Sequence, residues 1–116
     1  MKKYFAPYFV QGKGIFVPGV NKYLSLTDSF SGRMVEFSDA EQAGAPSRLE
    51  WLSIMDFKEE INQLLMENGG VPLKEDYYWT STPLDKKYAF LACVKTKGIA
   101  TSFREGGNFL VRTFII

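Results

Sequence analysis

Residues 76–82 read DYYWTST, three consecutive aromatic side chains followed by three hydroxyl side chains. β-Branched and aromatic residues favour extended backbone, so this stretch predicts a strand. Successive side chains of a strand point to opposite faces. One face would therefore carry Tyr77, Trp79 and Ser81, and the other face would carry Tyr78, Thr80 and Thr82. We expect Trp79 to be a core residue whose indole N–H donates to a backbone carbonyl. The alternative is an exposed aromatic platform for a sugar ring, formed by Tyr77 or Tyr78.

The segments that follow residues 76–82 have the same strand character. They are KYAFLACV (87–94), GIATSF (98–103) and NFLVRTFII (108–116). The joins at 95–98 and 104–107 have the lengths and glycines of hairpin turns. KYAFLACV is apolar at both alternating sets of positions, which predicts a central strand covered on both faces.

Upstream of residues 76–82, two short helices or one kinked helix are predicted between about residues 48 and 67. Ser47 and Glu50 have the S-x-x-E spacing of a capping box, and Asp56 with Glu59 repeats that spacing less typically. The apolar stripe of the second helix consists of Phe57, Ile61, Leu64 and Leu65. The Asn-Gly-Gly run at 68–70 is expected to end it.

The first part of the chain predicts short extended segments, YFAPYFV (4–10) and GIFVPGVNKYLSL (14–26). Residues 31–47 are predicted to be a long connecting loop.

The order of strands, loop, helices and antiparallel strands indicates an α+β fold. At 116 residues the chain has room for a single domain, 1–116. The apolar run at the start stops at Val10, so neither a signal peptide nor a membrane span is predicted.

The composition excludes several function classes. Fourteen Lys and Arg residues and thirteen Asp and Glu residues are interspersed, so we expect no nucleic-acid partner. The chain has no His and one cysteine, Cys93, which excludes an internal disulfide, Ser-His-Asp or Cys-His catalysis and the usual zinc sites. Cys93 is expected to be an inert, buried side chain. We therefore predict a protein that is not an enzyme and has no cofactor or metal.

Three motifs in order resemble a known family: APSRLEWLSI (45–54), DYYWTST (76–82) and FLVRTF (109–114). Together with GGVPL (69–73), they are similar to the DUF1566-type C-type-lectin-like domains of Bacteroides-like bacteria and their phages, over about residues 45–116. Three positions depart from that pattern, Ser47, Thr80 and Thr113. The resemblance implies a C-type-lectin-like fold, with strands from both chain termini, two helices and a small antiparallel sheet whose loops present a binding face. The calcium-binding motifs of true C-type lectins do not occur.

The predicted ligand-binding residues lie on or beside the last two predicted turns and combine charges of both signs with one aromatic ring. They are Lys95, Lys97, Thr101, Phe103, Arg104, Glu105 and Asn108, with Tyr78 as a stacking candidate. A hairpin that is merely solvated would have the same composition. The residues predicted to be structural are Ser47, Glu50, Trp51, Trp79 and Arg112. Arg112 interrupts an apolar strand, so we expect it to form an ion pair.

These observations predict a non-enzymatic binding domain that recognises a protein or glycan at a cell surface. A phage receptor-binding component or a bacterial surface protein would fit. The alternative is an assembly module that forms homo-oligomers through its apolar terminal strands. The localisation stays open between a virion, a cell surface reached with a leader that is later removed, and the cytoplasm.

Overall fold

The computed structural model describes residues 6–115 of the chain, which form two antiparallel sheets and three α-helices. The strands are β1 (Tyr8–Val10), β2 (Gly14–Val17), β3 (Lys22–Leu24), β4 (Tyr77–Pro83), β5 (Tyr88–Cys93), β6 (Gly98–Phe103) and β7 (Phe114–Ile115). The helices are α1 (Phe37–Ala43), α2 (Arg48–Asp56) and α3 (Lys58–Glu67), with a short 3-10 helix at Ser29–Gly32. The predicted α+β class is confirmed. No helix in the described part of the chain is long and apolar enough to span a membrane.

The first sheet has the strand order β1-β2-β3-β7, so its last strand comes from the far end of the chain. Leu24 of β3 pairs with Phe114 of β7. Gly14 begins β2 at a φ of 111°, and a Cβ at this position would collide with the carbonyl oxygen of Leu24. Only glycine therefore lets β2 approach β3 so closely.

The second sheet has the order β4-β5-β6, and β5 lies at its centre, as its apolar sequence predicted. The hairpin between β5 and β6 is also confirmed. The second predicted hairpin, at 104–107, is wrong. The chain does turn there, but Phe109 then pairs with Val35, and Leu110 forms a parallel bridge with Tyr78 of β4. Of the predicted strand at 108–116, only Phe114–Ile115 lies in a sheet as a strand, and Ile116 lies outside the described residues.

The capping box predicted for α2 is confirmed. The Ser47 side chain accepts from the Glu50 amide, and the Glu50 carboxylate accepts from the Ser47 amide at 2.9 Å. The second predicted cap, Asp56 with Glu59, is wrong. Phe57 occupies the N-cap position of α3 without a side-chain cap, because α3 begins immediately after α2 ends. The end of α3 at the Asn-Gly-Gly run is confirmed.

The predicted loop at 31–47 is also wrong, because it contains α1. Phe37 and Ala40 lie three residues apart on one side of α1 and are both buried. Gly44 ends the helix at a φ of 83°, in the left-handed region that favours glycine. Two buried side chains are too few to produce a recognisable helical period in the sequence.

The core consists of two clusters on opposite faces of the second sheet. The first includes Trp51 and Tyr78 and lies among α2, α3 and the first sheet. The second includes Trp79 and Phe37, beneath α1. The indole N–H of Trp51 donates to the Trp79 carbonyl at 3.1 Å, which connects the clusters. The predicted bond of the Trp79 indole is confirmed, with the Val35 carbonyl as acceptor at 2.7 Å.

Candidate functional site

The predicted ligand-binding residues lie at opposite ends of β6. Lys95 and Lys97 are in the turn between β5 and β6, where Lys97 adopts a φ of 58° and its ammonium contacts Glu59 at 3.0 Å. Phe103 ends the strand, six residue steps or roughly 20 Å from Lys97. The structure therefore does not bring the two groups together, and the exposed Thr101 lies between them.

At the far end of β6, Phe103 packs against Tyr88 of β5. Their ring centroids are 4.8 Å apart with an interplanar angle of 31°, and the two residues are cross-strand partners. Phe103 nevertheless has 56% of its surface exposed. A half-exposed aromatic held in place by a second ring is a contact surface that loses little side-chain entropy on binding.

Three basic side chains line a cleft together with Phe103. Lys86 and Lys87 are exposed in the turn between β4 and β5, and Arg104 follows β6 directly. We call Tyr88, Phe103, Arg104, Lys86 and Lys87 the tip platform. Two shallow clefts of about 330 and 300 Å³ share Lys86, Arg104 and Glu105 in their walls.

Arg104 has a fixed orientation in the tip platform. Its guanidinium lies 4.9 Å from the centroid of the Phe37 ring, and Nη1 donates to the Asp85 carbonyl at 3.0 Å. The following turn is anchored where the Gly106 amide donates to the Glu36 carboxylate. Arg104 thus holds a cation over Phe37, in the wall of the cleft that Phe103 also lines, while it keeps further donors for a ligand. Glu105 and Asn108 are exposed in the same turn region, and Asn108 donates to the Gly106 carbonyl.

Tyr78 is fully buried, which is incompatible with its predicted role as a stacking surface for a sugar. Strand alternation is as expected, but the face that carries Tyr78 is covered by Trp51 of α2, with ring centroids 5.0 Å apart. The Tyr78 hydroxyl donates to Asp28 at 2.9 Å and accepts from the Lys74 amide. Burial raises the pKa of Tyr78 far above its ordinary value. Tyr77, by contrast, is 39% exposed.

The predicted ion pair of Arg112 is confirmed, and its partner is Asp28. Arg112 is fully buried, and its Nε donates to the Asp28 carboxylate at 2.8 Å, while Nη1 donates to the Ser25 carbonyl. Lys74 contacts the other oxygen of Asp28 at 2.8 Å from a half-exposed position. Among residues 6–115, Arg112 Nη2 has no hydrogen-bond partner. The network is structural, and sequence reasoning did not find Asp28 or Lys74.

Glu50 of α2 and Cys93 at the end of β5 both have pKa values below their ordinary values. Burial works to raise the pKa of Glu50, but the hydrogen bond from Lys22 and the capping contacts with Ser47 outweigh it and lower the pKa. A hydrogen bond with Thr96 lowers the pKa of Cys93, against the effect of burial. Cys93 is the last residue of β5 and is only partly buried, so the prediction that it is buried is wrong.

The described part of the chain contains no group of three or more His, Cys, Asp or Glu side chains suited to a metal.

No protein-family model and no curated protein matches this chain. Among solved structures, the chain is similar to the adhesin InvE of Yersinia pseudotuberculosis, with a TM-score of 0.55 and 19% sequence identity. The likeness covers 72% of this chain and 24% of the adhesin chain. At this identity it shows that a part of the adhesin shares the fold.

Proposed function

We propose that this chain is a non-enzymatic binding domain that uses the tip platform to recognise a protein or glycan at a cell surface. The observation that carries the proposal is the exposed Phe103 ring, which is held by Tyr88 and lines a cleft together with Lys86, Lys87 and Arg104. The proposal includes a C-type-lectin-like fold of the DUF1566 type. A phage receptor-binding component and a bacterial surface protein are the settings we propose for it. The fold shared with part of an adhesin supports a role at a surface.

The composition of the tip platform suits recognition better than catalysis. Aromatic and arginine side chains dominate the energetics of protein interfaces, and an aromatic ring also stacks on the apolar face of a sugar. Catalysis would require paired acids or an activated nucleophile in a cleft. Around Phe103 the acids are Asp85, Glu36 and Glu105, and Glu36 is engaged by the Gly106 amide. This arrangement supports our proposal that the domain is not an enzyme.

The test is binding of the purified domain to an array of glycans and cell-surface proteins, with Phe103→Ala and Arg104→Ala as variants. We expect each substitution to weaken binding by about 2 kcal/mol, roughly thirtyfold, as for a central contact residue. Tyr8→Ala is the matched control for the aromatic change. Tyr8 is 48% exposed and stacks on Phe16 at 4.9 Å, in the other sheet. Arg33→Ala, at another exposed arginine, is the control for Arg104.

Equal loss of binding in the control variants would place recognition elsewhere on the surface. Absence of binding by the folded wild-type domain across both arrays would contradict the proposal. Circular dichroism of each variant establishes that the fold is intact, so that lost binding is assigned to the removed side chain.

One observation favours assembly as a second candidate function. β7 is an edge strand of the first sheet, and Ile115 at its end is 41% exposed. An apolar edge of this kind pairs readily with another chain. Light scattering across a range of protein concentrations would reveal an oligomer, and Ile115→Lys should then return the protein to a monomer.

A further inference from the structure

β6 presents unpaired backbone groups along its outer side. The Arg104 amide donates to the Lys87 carbonyl at 2.8 Å, which identifies residues 104 and 87 as a hydrogen-bonded pair of the β5–β6 ladder. In an antiparallel ladder such pairs alternate with pairs whose N–H and C=O groups point away from the partner strand. Ile99, Thr101 and Phe103 therefore direct their backbone groups outward. Within residues 6–115, β6 pairs with β5 alone.

This edge lacks the usual protection against strand addition. Natural edge strands are kept short or carry Lys, Pro or a bulge. β6 has six residues, GIATSF, with none of these features and an unbroken register against β5. Two of the other edge strands are shorter, three residues in β1 and two in β7, and β1 follows the buried Pro7. The remaining edge strand, β4, has seven residues, but it ends in Pro83, its register shifts between Trp79 and Pro83, and its outer side already bonds to the backbone of Leu110 and Pro46. β6 is thus the edge best suited to receive another strand.

The charged residues around β6 indicate which kind of strand would bind to its free edge. Residues 85–105 contain five basic and two acidic side chains, a net charge of +3, whereas the whole chain has a net charge of +1. The basic residues stand at both ends of the strand. Lys86, Lys87 and Arg104 are at one end, and at the other are Lys95 and Lys97, of which Lys97 also contacts Glu59. Two antiparallel β6 strands would bring these like charges together, which disfavours a second copy of this chain. An acidic segment would meet complementary charge at each end.

We propose that β6 accepts an extended acidic segment of a partner protein as an added strand of the second sheet. The added strand would bond to the outward groups of Ile99 and Thr101 and pack side chains against the exposed Phe103. This inference rests on the proposed function and makes its ligand a protein.

The first measurement is amide hydrogen exchange of the free domain. The outward N–H groups of Ile99 and Thr101 should exchange much faster than the inward ones of Ala100 and Ser102, which bond to β5. Uniform protection along β6 that rises with protein concentration would indicate pairing between copies of this chain and would overturn the proposal.

The second measurement uses an array of peptides in which Val or Thr alternates with Glu, beside the same peptides with Lys in place of Glu. We expect the Glu peptides to bind at least tenfold more tightly and to protect the Ile99 and Thr101 amides. Thr101→Pro should reduce binding at least tenfold, because it removes an outward N–H and leaves the ladder to β5 intact. Thr101→Val keeps that N–H and is the matched control. The double variant Lys86→Glu, Lys87→Glu should reverse the charge preference in part.

The outcomes separate this inference from the proposed function. If cell-surface binding is lost in Phe103→Ala but persists in Thr101→Pro, or if the ligand is a glycan alone, strand addition is overturned and the proposed function holds. If acidic peptides bind in a Thr101-dependent way but no cell-surface molecule binds, strand addition holds and the proposed function fails. Equal binding of Glu and Lys peptides contradicts the charge argument and overturns the acidic partner.

Discussion

At the scale of single residues, Asp28 is the side chain on which three others converge. It accepts hydrogen bonds from Arg112, Lys74 and Tyr78, and it is buried together with Arg112. A buried charge is tolerated only when it is paired and hydrogen-bonded. Removing Asp28 therefore leaves the buried Arg112 charge uncompensated in a medium of low dielectric constant, whereas removing Arg112 leaves Asp28 paired with the half-exposed Lys74.

We predict that Asp28→Asn lowers the free energy of unfolding by about 3–5 kcal/mol, because Arg112 is then buried without a counter-charge. Urea denaturation would measure this loss. The double variant Asp28→Asn, Arg112→Met should cost clearly less than the sum of the single changes, because no buried charge is then left unpaired and Lys74 is half-exposed. Lys22→Met is the control, since it removes the exposed ion pair with Glu50 and should cost at most about 1 kcal/mol. If the free-energy losses of the two single variants added up to the loss in the double variant, Asp28 and Arg112 would not be energetically coupled.

The sequence predicted that Arg112 forms an ion pair, because an arginine in an apolar strand requires a partner. It did not identify that partner. The chain has thirteen acidic residues, and Asp28 is 84 positions away from Arg112. Only the three-dimensional path of the chain selects one of the thirteen. The same reason explains why Tyr78 was assigned to a ligand, since its neighbour Trp51 is distant in sequence.

At the scale of elements, the start of α2 depends on its capping box. We predict that Ser47→Ala lowers the free energy of unfolding by about 1 kcal/mol, because the Glu50 amide loses its acceptor. Chemical denaturation measures the loss, and Ser47→Thr should restore most of the stability. A loss in Ser47→Thr equal to that in Ser47→Ala would mean that the hydroxyl is not responsible.

The same cap makes stability dependent on pH. The pKa of Glu50 in the folded protein lies below its ordinary value of 4.5. Its contribution is therefore fully present above about pH 4.5 and is lost as the pH falls through the folded pKa. Glu50→Gln should weaken the decline in stability below that pH, measured by thermal unfolding at a series of pH values. An unchanged decline would assign the acid sensitivity to other carboxylates.

Local signals predicted some elements well and others poorly. The start of α2, the end of α3 and the β5–β6 hairpin each follow from residues adjacent in sequence, so they were predicted correctly. The turn at 104–107 was predicted, but its role as a hairpin was not correct. Phe109 packs against the Trp79 ring at a centroid distance of 5.2 Å, and this contact takes the chain to β4 instead. A tertiary contact of this kind has no local signature.

At the scale of the whole molecule, the two core clusters are coupled through Trp51 and Trp79. We predict one cooperative unfolding transition, in which Trp fluorescence and far-UV circular dichroism coincide. Trp51→Phe leaves Trp79 to report on the second cluster, and Trp79→Phe leaves Trp51 to report on the first. Trp51→Phe should also cost at least about 2 kcal/mol, because the buried Trp79 carbonyl loses a donor and the core loses volume. Separate transitions in the two variants would show that the clusters unfold independently.

The α+β class followed from the order of local patterns, while the division of the strands into two sheets did not. Whether the last strand pairs with β6 or with β3 depends on tertiary contacts, because Phe109 packs on Trp79 and Arg112 bonds to Asp28 before the chain reaches β3. The tip platform was predicted in part, through Phe103 and Arg104. Its other members are Lys86 and Lys87 in the turn between β4 and β5 and Tyr88 at the start of β5, and they become adjacent to Phe103 only when β5 and β6 pair.

The pairing of β3 with β7 has a consequence for synthesis. Contacts between distant positions must overcome the entropy of closing a long loop, and chains dominated by them fold in milliseconds to seconds. During translation at about 5–20 residues per second, Arg112 is made roughly 4–17 s after Asp28. In that interval β3 lacks its last partner, and the aspartate remains exposed to water on the nascent chain. The buried ion pair of Asp28 with Arg112 therefore forms only after nearly the whole domain has left the ribosome.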